Sequence, residues 1–108
     1  MIYKATKDMG GCWIDGHWGQ YGPARLIELA AEHGYADAEA IDLATRHLAS
    51  IGPSDAPGLD DDEAEALFYA SDAAEEWLNS FAAPDGFSFG WHDGEFFLWD
   101  AASWEAEA

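Results

Sequence analysis

Positive charge is what this chain has least of. Its 108 residues include four Lys and Arg in all, Lys4, Lys7, Arg25 and Arg46, and none follows Arg46. A surface of that kind repels phosphate and anionic lipid alike, which excludes nucleic acid and membranes as direct ligands of its charged face. Cysteine is nearly missing too: Cys12 stands alone and cannot close an internal disulfide. No apolar run approaches the roughly 20 residues needed to cross a bilayer, and no basic-then-apolar leader opens the chain, so a soluble, cytoplasmic protein is expected.

Chemistry-bearing motifs are also missing. Neither CxxC nor HExxH occurs; Asp15-x-His17 and His92-Asp93 hold metal-capable side chains, but a metal site needs three or four ligands at fixed spacing. No metal and no cofactor is expected. The glycines of MGG and DGHWGQYG form no phosphate loop, there is no Walker lysine, and the serines lack a nucleophile-elbow context, so the expectation is a protein that is not an enzyme.

What the chain does have is acid and aromatic surface. Twenty-two Asp and Glu give a net charge of −18, yet 49% of the residues are hydrophobic and six are Trp, a content that disordered chains do not carry. A single folded domain spanning residues 1 to 108 is expected. Residues 1 to 46 hold all four cations against seven acids, 4 − 7 = −3, whereas residues 47 to 108 hold fifteen acids and no cation, and the two sum to −18. Self-repulsion on this scale opposes compaction and is screened only over about 8 to 10 Å in ordinary salt.

The patterning predicts an α+β domain with short N-terminal strands, three helices, and a C-terminal β-hairpin packed on the third helix. MIYKAT is β-like, and CWI at 12 to 14 is a second short strand candidate. Pro23 suits the first turn of a helix running to about His33, with Leu26, Ile27 and Ala30 inward and Gly34 as its stop. Asp37 can cap a second helix whose apolar positions are Ile41, Ala44, Leu48 and Ile51; Gly52-Pro53 ends it and GPSDAPG links it onward. His33 and His47 fall near helix C-termini, where a charged imidazole suits the dipole. A third helix runs from Asp60 to about Phe81, broken by Pro84-Asp85-Gly86.

In GFSFGWHDGEFFLW, Asp93-Gly94 is the dipeptide of a type I′ turn. It sets Trp91 opposite Phe96 and Phe89 opposite Leu98 on a core face, with His92 beside Glu95. The other face pairs Gly90 with Phe97 and Ser88 with Trp99, small residues against large rings, as though another segment or a partner covers it. A homodimer would use such a face equally well. The tail SWEAEA is expected to fray.

The third helix carries the functional signal. Taking Asp61 as zero and about 100° per residue, Glu65, Asp72 and Glu76 fall within about 60° of it, while Leu67, Ala70, Ala74, Trp77, Leu78 and Phe81 occupy the opposite side. Four carboxylates thus form a stripe roughly 22 Å long, supported by Asp62 and Glu75, with no cation among them. Acids in the first turn suit the helix dipole, but Asp72, Glu75 and Glu76 lie beyond its reach, and like charges at i, i+4 are destabilising. A solvated face in a chain from a salty or compositionally biased source accounts for the acidity, though not for its confinement away from every cation.

In size, net charge and the stripe from Asp61 to Glu76, the chain resembles the small acidic DNA-mimic inhibitors of phages and mobile elements, of the anti-CRISPR and anti-restriction kind. That resemblance implies an inhibitor that occupies the nucleic-acid channel of a basic nucleic-acid-binding protein, such as a CRISPR effector or restriction enzyme. The alternative is an interaction or assembly module whose acids only keep it soluble. Its contacts would come from the hairpin's outer face or from Trp18 and Tyr21, two rings in a glycine-rich loop that could anchor an interface.

Overall fold

The computed structural model describes residues 2, 4–50 and 59–107 and has the α+β architecture that the patterning predicts. Strand β1 (Gly11–Ile14) leads through a 3-10 segment, Gly16–Tyr21, into α1 (Gly22–Glu32) and α2 (Ala38–Ala49). Helix α3 (Asp61–Trp77) continues as a π-helical turn, Leu78–Ala82, before β2 (Phe87–His92), β3 (Glu95–Asp100) and a last helix, α4 (Ala101–Glu107). Ile51, Gly52-Pro53 and the rest of the linker between α2 and α3 lie outside the described residues.

Helices α2 and α3 start where an acid can accept a backbone N–H, whereas α1 starts on Gly22-Pro23 with no side-chain cap. Asp37 accepts from Ala40, and Asp60 forms a capping box with Glu63. Part of the acidity is therefore structural. Helix α1 packs on both α2 and α3, and its Leu26, Ile27 and Ala30 are fully buried, as expected from their spacing. Gly34, at φ 114°, ends it in the left-handed region.

The sheet is antiparallel in the order β1-β3-β2, and the hairpin has the expected register, Trp91 opposite Phe96 and Phe89 opposite Leu98. Asp93 (φ 50°) and Gly94 (φ 80°) both take the positive φ that a type I′ turn demands. Ile14, Phe89, Phe96 and Leu98 bury the inner face with α1, while Trp91, at the hairpin tip, keeps part of its ring in solvent. The free edge of β2 is closed by one side chain: Asn79 of the π-turn accepts from the Phe89 N–H (2.6 Å) and donates to the Phe89 carbonyl (3.1 Å). It satisfies both backbone groups that an edge residue presents away from its partner strand. Asn79→Ala is expected to lower stability by about 1 to 2 kcal/mol, read by urea denaturation, because two hydrogen bonds to a buried residue are lost together.

Three expectations need correction. Residues 4–6 form no strand; the Ala5 N–H donates instead to the Ala82 carbonyl at the end of the π-turn (2.7 Å), and a 3-10 turn, Lys7–Met9, follows. Phe81 is not in the core but 52% exposed, because the wider π-turn rotates it off the buried side of α3. His92 sits opposite Glu95 in the register, as expected, and its Nε2 also lies 3.2 Å from the Asp93 carboxylate. The tail, finally, is not frayed. Residues 101 to 107 form α4, whose Ser103 N–H is capped by Asp100 (2.8 Å), and Trp104 covers the outer face of the hairpin.

Candidate interaction surface

Helix α3 forms where alanine and a capping box make a helix easy: Ala64, Ala66, Ala70, Ala73 and Ala74 lie among the acids, and Asp61, Asp62 and Glu63 sit at the favourable end of the dipole. Its burial follows the wheel. Leu67, Ala74 and Leu78 are buried, Ala70 and Trp77 are partly so, and Asp61, Glu65, Asp72 and Glu76 are all exposed. Asp62 is exposed beside the stripe on one flank, and Glu75 is half-buried on the other.

Three of the four cations are held elsewhere. Arg25 pairs with Glu28 (3.2 Å) and Glu32 (3.8 Å) along α1, Lys4 approaches Asp85 (3.4 Å), and Arg46 pairs with Asp42 on its own helix (3.0 Å) and ties α2 to the start of α3 through Glu63. Among the described residues, no ion pair reaches Asp61, Glu65, Asp72 or Glu76. Glu75 differs from its neighbours. Burial, and then the nearby Asp72 charge, push its carboxyl above the usual range, while the Trp91 indole N–H donating to it opposes the shift. Because folding raises this pKa, the ionised carboxylate opposes folding above it, and that cost is relieved as the pH falls through the folded-state value.

Two rings interrupt the acid face. Phe68 is 63% exposed and Tyr69 68% exposed, one on each side of the stripe near its midpoint. The same wheel places them there, at about 340° and 80°, so the signal was available; it was hidden because large rings are usually read as core. Trp18 and Tyr21, by contrast, have internal partners. The Arg25 guanidinium lies 5.8 Å over the Trp18 ring, and Tyr21 packs on His47 with centroids 4.7 Å apart; both rings are half-buried.

Between α3, the start of α1 and the hairpin turn runs a shallow cleft of about 300 Å³, bordered by Pro23, Phe68, Ser71, Asp72, Trp91 and Gly94. Phe68 separates it from a second hollow of about 390 Å³ that reaches Ala64, Leu67 and His47. Carboxylate, hydroxyl and aromatic faces together are a set that binds cations. Neither metal-capable pair borders this cleft with its side chains: Asp15 caps the 3-10 segment beside His17, and His92 lies beside Asp93 in the hairpin. No group of three or more ligating side chains occurs among the described residues, and no helix there is long and apolar enough to cross a membrane. No family model, curated protein or solved structure matches the chain.

Proposed function

We propose that the protein is a non-catalytic inhibitor that lays the acid stripe of α3 in the cationic nucleic-acid site of another protein and blocks it by DNA mimicry. The observation that carries this reading is the outward row Asp61, Glu65, Asp72 and Glu76, which no ion pair among the described residues neutralises. At about 1.5 Å per residue the row spans roughly 22 Å, equal to six or seven phosphate steps along one strand of duplex DNA. Complementary potential would make association fast and sensitive to salt. Phe68 and Tyr69 add apolar contact that a row of carboxylates lacks, as aromatic residues do at the centre of interfaces. By its resemblance to anti-CRISPR and anti-restriction mimics, the partner class is a host defence enzyme such as a CRISPR effector or restriction enzyme, met in the host cytoplasm.

The exposed pair Phe68 and Tyr69 also supports a second reading, a protein-interaction module anchored by these rings with the acids serving solubility. Immobilised protein offered to lysates that carry such defence complexes separates the two. Under mimicry a nucleic-acid-binding protein is captured, and both high salt and competing duplex DNA release it. Capture that survives both eluents favours the module, and no capture of a nucleic-acid-binding protein removes mimicry.

A further inference from the structure

We infer that the cleft beside Asp72 is a receptor for an arginine side chain of the cationic partner, with the guanidinium against the Phe68 and Trp91 rings, its charge on Asp72 and one N–H donated to Ser71. The inference deepens the reading above and rests on it, since it presumes a cationic protein partner.

Ser71 is the observation that turns an acid cluster into a site. It is only 5% exposed, it lines the cleft, and its hydroxyl makes no hydrogen bond among the described residues. Helical serines commonly return such a hydroxyl to the carbonyl one turn back, as Thr45 does to Ile41 at 2.8 Å. Ser71 shows no such return bond, and it borders the cleft. Asp72, one residue on, supplies an exposed carboxylate at the mouth, and the half-buried Glu75, whose carboxyl feels the Asp72 charge, adds negative potential nearby.

The walls select among cations. Phe68 and Trp91 offer ring surface, on which a planar guanidinium stacks while its edge hydrogen-bonds, whereas an ammonium on a flexible stem gains less from either. A cleft of about 300 Å³ lies at the lower end of ligand-site volumes and suits one side chain better than a larger cofactor. The chain's own arginines do not fill it, Arg25 being held over Trp18 and Arg46 between Asp42 and Glu63.

The test is a titration of the 15N-labelled full chain at low ionic strength with N-acetyl-arginine amide and, separately, N-acetyl-lysine amide. The readout is the Trp91 indole N–H, assigned with Trp91→Phe. A saturable shift is expected, with the arginine probe binding about fivefold or more tighter than the lysine probe. Asp72→Asn is expected to abolish the preference, and Ser71→Ala to weaken arginine binding about threefold, the worth of one modest hydrogen bond. Equal responses to the two probes, no saturable shift, or a preference that survives Asp72→Asn would overturn the inference. Asp61→Asn with Glu65→Gln lies outside the cleft, so it should leave the arginine preference intact while weakening partner capture. Loss of capture without an arginine preference would therefore retire the cleft and leave the mimicry standing.

Discussion

Reversing two charges of the stripe, as Asp72→Lys with Glu76→Lys, is expected to cost about a hundredfold or more in partner affinity and to abolish inhibition while the fold survives. About 3 kcal/mol is required for that loss. It divides into roughly 1.5 kcal/mol per reversed charge, well within the several kcal/mol that like-charge juxtaposition across an interface costs. Most of the effect should appear as slower association at low salt and should shrink as salt rises, because a long-range field is what has been removed. The fold has no reason to suffer. Both side chains are exposed, neither holds an ion pair among the described residues, and two lysines at i, i+4 repel no more than the two acids they replace, while the one at position 72 gains Glu75 at i+3. Binding kinetics by surface plasmon resonance at two salt concentrations, with thermal melting as the control, measures both halves. Undiminished inhibition by a folded double variant would end the mimicry reading. The matching reversal at Asp61 and Glu65 should behave alike, since a mimic of a charged rod uses its whole length.

Trp104→Ala carries the largest expected effect on stability, about 2 to 3 kcal/mol, although it is residue 104 of 108. Its indole stands edge-on to Trp99 with centroids 4.6 Å apart, and its Nε1 donates to the Ser88 carbonyl at 3.1 Å. Gly90 makes room for it: a Cβ there would lie 3.0 Å from the ring. Removing the indole uncovers apolar area worth roughly 25 cal/mol per Å², breaks one hydrogen bond and exposes the stacked rings of Phe97 and Trp99. For a domain of this size a loss of that order lowers Tm by about 10 to 20 °C. Scanning calorimetry checks the shift. An unchanged Tm would return residues 101 to 107 to the frayed tail that their composition suggested. Size-exclusion chromatography of the same variant should show self-association, because the uncovered face is the one otherwise suited to a second copy.

Local rules made much of the fold legible. Asp37 and Asp60 cap helices whose starts they announced, Asp93-Gly94 makes the turn and sets every pair of the hairpin, and the wheel of α3 sorts buried from exposed residues as far as Trp77. These features depend on neighbours within a few residues, whose geometry the chain carries with it. The acid stripe belongs to the same class, since its exposure follows from one period and one apolar face.

Other features were legible only in part. Asp100 followed by an alanine-rich run is a capping signal, and the small residues at Ser88 and Gly90 announced that something covers the outer face. Neither says that the cover is Trp104 of the same chain. The role of Asn79 could not be read at all, because a polar side chain in a helical run becomes an edge clip only when β2 arrives beside it.

The sequence by itself determined the caps, the turn, the register and the acid row of α3, because each is settled by residues close along the chain. Tertiary structure alone decided that the π-turn turns Phe81 outward, that α4 closes the hairpin, and that Ser71, Asp72, Phe68 and Trp91 border one cleft. Those outcomes come from segments distant in sequence meeting in space, where the burial of one surface by another outweighs local preference.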